Sequence, residues 1–172
     1  MVANTATIYE NGVHANAGET QYLTFELAGE FYGIDILKVQ EIRGWTPATV
    51  IPNAPPSIKG VINLRGSVVP VIDLRLRLQI QAAEYTDATV VIILAIEREG
   101  RQQTVGLVVD SVSDVMNIAD EEIRAVPNIN ELARAQYLAG IASHDEALVL
   151  VLDANQLFDN SDLELLHRAT AS

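Results

Sequence analysis

Gly60-Val61-Ile62-Asn63-Leu64-Arg65-Gly66-Ser67-Val68-Val69-Pro70-Val71-Ile72-Asp73 sets one arginine and one glycine between two runs of strand-forming apolar residues. That is the local signature of a β-hairpin. Arg65 then stands at the hairpin tip, where a lone cation points toward recognition of a partner. Solvation, or pairing with a nearby acid, is the plainer use of the same side chain.

The flanking chain reads the same way. Leu23, Phe25 and Leu27 alternate with polar neighbours, and Ala28-Gly29-Glu30 turns the chain into Phe31-Tyr32-Gly33-Ile34-Asp35-Ile36, a first hairpin. Thr89 to Ile96 is a continuous β-branched run, Glu97 to Gln103 reads as a charged turn around Gly100, and Thr104 to Val109 returns apolar. Helical signals are few. Asn130 is placed to cap Glu131 to Tyr137, and Asn160 or Ser161 to cap Asp162 to Arg168, with Leu163, Leu165 and Leu166 as an apolar stripe.

Comparing the halves exposes an internal repeat. Gly33, Val39, Glu41 and Ile42 match Gly106, Val112, Asp114 and Val115 at one fixed offset, and the segment Gly60 to Asp73 matches Gly140 to Asp153. Pro52 and Pro127 lie between the matching blocks. Two copies of one short-stranded unit indicate two similar small barrels rather than a single large sandwich. At the hairpin tip the copies diverge: Asn63-Leu64-Arg65-Gly66 answers to Ser143-His144-Asp145-Glu146, and the charge is reversed.

Composition narrows the function classes. The 172-residue chain is 49% hydrophobic, enough for a sizeable core in one domain or two small intimate ones. Eleven Lys and Arg against 23 Asp and Glu give a net charge of −12, which repels phosphate backbones and acidic membranes. With no cysteine there is no disulfide, thiolate metal site or cysteine nucleophile, and a reducing cytoplasm fits. The apolar runs are far shorter than the ~20 residues of a membrane-spanning helix. Residues 1–18 lack the pattern of a signal peptide and read as a loose tail.

No catalytic motif is legible. His14, His144 and His167 show no metal-ligand spacing, and no phosphate-binding glycine loop or nucleophile elbow is present. Asp120-Glu121-Glu122 reads as a solvated loop or helix start. Gly60 and Gly66 are most simply turn or bulge glycines. Val39 and Val112 are core valines or contact residues, and Glu41 and Asp114 are exposed acids or contact residues; both alternatives stay open. Trp45 is either a lid over the core or an interface anchor. A hydrolase using scattered carboxylates would need two acids within reach of one another in one pocket.

Phe31 to Ile36 with Val39-Gln40-Glu41-Ile42, Ile51-Pro52-Asn53-Ala54-Pro55, Gly60 to Gly66, Pro70-Val71-Ile72-Asp73-Leu74-Arg75, Val105-Gly106 to Asp110 and Val112-Ser113-Asp114-Val115 together resemble the CheW family of bacterial chemotaxis coupling proteins. The likeness runs from about Gln21 to the final helix. It implies a mainly β fold of two SH3-like five-stranded barrels, with a short helix in the second half and a C-terminal helix. The expected division is a tail over 1–18, a first barrel over 19–84, a second over 85–158 and the helix over 159–172. It also implies an adaptor without catalytic activity or cofactor, cytoplasmic and recruited to membrane receptor arrays. Its partners would be the cytoplasmic tip of methyl-accepting chemoreceptors and the regulatory domain of the histidine kinase CheA. A related receptor and kinase pair in motility or development is the alternative. Positions matching the family's functional pattern are Val39, Glu41, Gly60, Arg65, Val112 and Val115, with Arg124 in a region implicated in ring contacts.

Overall fold

The computed structural model describes residues 18–126, 133–158, 162 and 164. Eleven strands occur among them: β1 Glu19–Leu27, β2 Glu30–Asp35, β3 Val39–Gly44, β4 Ile58–Leu64, β5 Ser67–Asp73, β6 Val90–Arg98, β7 Arg101–Val109, β8 Ser111–Ala119, β9 Ile123–Arg124, β10 Leu138–His144 and β11 Ala147–Leu152. They form two sheets, ordered β3-β6-β7-β5-β4 and β8-β1-β2-β11-β10-β9. The fold is mainly β, as expected. One four-residue helix, α1 (Leu74–Arg77), follows β5 and is N-capped by Asp73. Sequence reading did not place it, because four residues cannot show a helical period.

The sheets do not follow the sequence halves. The early hairpin β1-β2 lies in the six-stranded sheet with β8 and β11, while β6-β7 lies in the five-stranded sheet with β3 and β5. The duplication is nevertheless visible strand by strand. Parallel pairing sets Val71 opposite Gly106 in one sheet and Val151 opposite Gly33 in the other. Register shifts recur at matching places, between Val39 and Glu41 and across the Val112 to Val115 segment, and again between Ile58 and Gly60 and between Leu138 and Gly140. Thr49 bridges to Val61 as Arg124 pairs with Ile141.

Burial explains why β6 reads as an unbroken apolar run. Val90, Ile92, Leu94 and Ile96 belong to a large core shared with Leu23, Phe25, Leu27, Tyr32 and Ile34 of the other sheet, whereas Val91 and Ile93 face a cluster private to their own sheet. A strand buried on both faces has no polar side to alternate. The six-stranded sheet has its own private cluster around Tyr22, Ile118, Ala142 and Val151. One correction concerns the turn expected over Glu97 to Gln103. Strands β6 and β7 pair through Arg98 and Arg101, and only Glu99 and Gly100 turn. The charged residues are solvent-facing ends of a long hairpin, and charge alone does not end a ladder.

The expected element over Glu131 to Tyr137 is described only as a 3-10 helix at Ala133–Tyr137. The C-terminal helix is described at residues 162 and 164 only, and the capping candidates Asn160 and Ser161 lie outside the described residues, as does Asn130. Asp120–Glu122, expected as a solvated loop or helix start, forms an exposed 3-10 turn in which Glu122 accepts from the Ala119 N–H at 3.1 Å. Among the described residues no helix is long and apolar enough to cross a membrane.

Candidate functional site

Strand β3 carries two of the expected positions, and its irregularity decides what each does. In a regular strand, residues three apart face opposite sides. The extra residue at Gln40 shifts the phase, so Val39 and Ile42 both pack into the shared core. In the matching strand β8, the same irregularity sends Val112 and Val115 into that core. Glu41 is left on the rim. Val39 is fully buried, and Val112 and Val115 are half-buried.

Arg65 and Gly66 form the two-residue turn between β4 and β5, with φ of +51° and +88°. Positive φ at both positions suits the right-handed twist of a hairpin, and Asn63 Oδ1 accepts from the Gly66 N–H at 2.8 Å. The Arg65 guanidinium donates to the Glu41 carboxylate. Arg43 Nε stands 3.7 Å from the other oxygen of Glu41. β3 and β4 are the two edge strands of their sheet, so this contact, with the Thr49–Val61 bridge, draws the edges together as in a barrel. The Arg65 side chain remains 75% exposed while that of Glu41 is 19% exposed. Arg65 therefore pairs with a nearby acid, the plainer of its two uses, and keeps most of its side chain exposed.

Gly60 answers to a different constraint. Its φ is +138°, and a Cβ there would lie 2.0 Å from the Thr49 carbonyl oxygen. The close crossing of main chain over main chain requires glycine. Its counterpart Gly140 has the Arg124 carbonyl oxygen at 2.8 Å from a Cβ. The Arg124 side chain is exposed. The structure therefore joins Glu41 to Arg65, gathers Val39, Val112 and Val115 around one core, and leaves Gly60 buried and Arg124 on the other sheet.

Trp45 lies over the core, the first of its two readings. It packs on the private cluster of the five-stranded sheet and meets Tyr85 edge-on at 4.5 Å between centroids. The Tyr85 hydroxyl donates to Asp73 Oδ2 at 2.6 Å; burial, with that carboxylate beside it, pushes the phenol well above its ordinary range. Asp73, Arg75, Glu84, Tyr85 and Asp110 line a cleft of about 290 Å³. Asp73 also accepts from the Leu76 N–H, and Asp110 is held by Arg75 and the Ala28 N–H, so both carboxylates are engaged by structural partners.

Sequence reading missed three ionic or aromatic contacts: Trp45 with Tyr85, Arg75 with Asp110, and Arg77 with Asp162. In the last pair, oxygens of Asp162 accept from Arg77 at 2.8 and 3.0 Å, both side chains being almost wholly buried. The one available signal was the acid-arginine string Asp73-Leu74-Arg75-Leu76-Arg77, which sets a capping acid before two cations.

The chain is similar to proteins of known family. Residues 21–162 match the CheW-like domain. The chain is 43% identical to the chemotaxis protein CheW of Klebsiella aerogenes over 159 residues, covering 91% of this chain and 93% of that one. It is 36% identical to the chemotaxis protein CheW of Bacillus subtilis, covering 80% and 85%. The crystal structure of the scaffolding protein TtCheW from Thermoanaerobacter tengcongensis superposes with a TM-score of 0.75 at 33% identity, covering 87% of this chain and 94% of that one. With residues 21–162 of 172 matching the family domain, and with relatives 43% and 36% identical over most of both chains, the chain belongs to the CheW-like family.

Proposed function

We infer that this protein is a non-catalytic chemotaxis scaffold that couples the cytoplasmic tip of methyl-accepting chemoreceptors to the regulatory domain of the histidine kinase CheA. It works in the cytoplasm and is recruited to receptor arrays at the membrane. Membership of the family, with a relative named chemotaxis protein CheW that is 43% identical, is the observation that carries this reading. The geometry supports it. A receptor helix laid along the rim meets the exposed Arg65 and its Glu41 partner, which fix register by charge. Val112 and Val115 offer partly exposed apolar surface on β8 of the other sheet, and Arg124 supplies a separate charged contact in the ring. Val39 and Gly60 act on binding through the packing beneath that rim.

The test titrates the protein against a receptor cytoplasmic fragment and the kinase regulatory domain, separately and together. Binding to neither refutes the reading. Arg65→Ala removes one exposed ion pair, worth about 0–1 kcal/mol, and so leaves thermal unfolding nearly unchanged while weakening binding. Loss of folding in that variant would make Arg65 structural.

A further inference from the structure

Strands β7 and β8 belong to different sheets, yet only Asp110 separates them. The matching crossing, from β2 to β3, runs through a 3-10 turn at Ile36–Lys38. Leu37 occupies the Asp110 position there and stands 69% exposed.

Asp110 is tied from both sheets. Arg75, in α1 just after β5 of the five-stranded sheet, donates through Nε at 2.7 Å and through Nη2. Ala28, in the β1-β2 turn of the six-stranded sheet, donates its N–H at 3.0 Å. The remaining guanidinium nitrogen, Nη1, donates to the Gln81 carbonyl at 3.0 Å, so every guanidinium nitrogen of Arg75 is engaged.

The repeat supplies the comparison. Phe25 pairs with Val112 as Leu94 pairs with Val39, which makes Glu97 the counterpart of Ala28. The Glu97 N–H also donates, but to Asn155 Oδ1 at 3.1 Å, and Asn155 stands where Arg75 stands in its own copy. A single neutral amide therefore does at one junction what a bidentate ion pair does at the other. Charge-assisted forked pairs are stronger and more directional than neutral bonds.

We propose that Arg75 and Asp110, together with the Ala28 N–H, form the clamp that fixes the angle between the two sheets, the Leu37 crossing being the compliant one. Arg75 and Asp110 are thus positioning residues. They hold Glu41 and Arg65 on one sheet at a set distance from Val112 and Val115 on the other. That a partner spans both sheets rests on the functional reading above; the clamp itself does not.

The chain has no cysteine, so spin labels on Gln40→Cys and Ser113→Cys report the separation of the sheets by pulsed electron resonance. Both positions are exposed, and each lies at the irregularity of its strand. The intact protein gives one narrow distance distribution. Asp110→Ala roughly doubles its width or shifts it while unfolding stays cooperative, and Asn155→Ala changes it far less. An Asp110→Ala distribution that superposes on the intact one overturns the clamp. Should that variant not fold, Asp110→Asn carries the same test, because it keeps an acceptor for Ala28 and breaks the ion pair. Failure of the unlabelled protein to bind a receptor fragment sinks the functional reading and leaves the distance result standing.

Discussion

Replacing Gly60 by alanine places a methyl group against main chain. The added Cβ falls 2.0 Å from the Thr49 carbonyl oxygen and 2.6 Å from its carbon, against about 3.5–4.0 Å for a relaxed contact. Thr49 cannot simply step aside, because its N–H donates to the Val61 carbonyl at 2.8 Å and its own carbonyl accepts from the Val61 N–H at 2.9 Å. Making room gives up both bonds, about 1 kcal/mol each. The φ of +138° adds about 1–3 kcal/mol of strain for a residue with a side chain. The total is about 3–5 kcal/mol, a large share of a typical stability of about 5–15 kcal/mol.

For a chain of this length each kcal/mol moves the melting temperature by about 2–4 °C, so Gly60→Ala should lower it by about 6–20 °C. Differential scanning calorimetry reads the shift. Two further glycines serve as controls: Gly66 has no atom within 4 Å of its would-be Cβ, so alanine there meets only backbone strain, while at Gly140 the nearest obstacle is a side-chain carbon of Ile123. Melting loss should follow the order Gly60, Gly140, Gly66. If Gly60→Ala costs no more than Gly66→Ala, the close-crossing account is wrong, and any binding defect at Gly60 reflects direct contact.

Arg77→Ala or Asp162→Asn strands a buried charge and should cost about 3–5 kcal/mol in urea denaturation, whereas the apolar pair Arg77→Met with Asp162→Leu should recover most of it. The Asp110 carboxyl is pushed up by burial, but the Arg75 guanidinium and the Ala28 N–H outweigh this and hold it below the usual range. Its folded value is depressed, so its stabilisation is present above the unfolded pKa of about 4 and is lost as pH falls through the folded value. Asp110→Asn should therefore flatten the acid limb of a stability profile below about pH 4, and an unchanged slope there would count against the pairing. Glu146 sits at φ +67° where the first copy has Gly66; Glu146→Gly should raise stability by about 0.5–1 kcal/mol in the same denaturation assay, and a loss would contradict the strain.

Much of the scaffold was legible because its signals are local. Arg65-Gly66 between two apolar runs specifies a tight turn, and the turn lies there. Matching glycines and acids at fixed offsets identified a duplication that the register shifts repeat. What local signals omit is partnership. Apolar alternation shows that β1 and β2 are strands, but not that they join β8 and β11 instead of β3. The strand irregularities escaped as well, since Val39 and Ile42 three apart look like a broken alternation until Gln40 is seen to shift the phase. Arg75 and Asp110 are 35 residues apart, and Arg77 and Asp162 are 85 apart, so no window of periodicity contains either pair.

The exchange of hairpins between sheets ties the two halves of the sequence into one body. Because β1-β2 completes the sheet of the later strands and β6-β7 that of the earlier ones, neither half of the sequence can be pulled away without unpairing strands of the other. The shared core, with Phe25 and Leu94 among its members, adds to the coupling. Such a molecule unfolds as one unit. Its freedom to specialise then lies where the scaffold makes no demand, at the hairpin tips. Both tips take positive φ at both turn positions, yet one presents Arg65 and the other Asp145 and Glu146. The same backbone carries opposite charge on two equivalent corners, which gives a pseudo-symmetric body a direction and lets a partner distinguish one copy from the other.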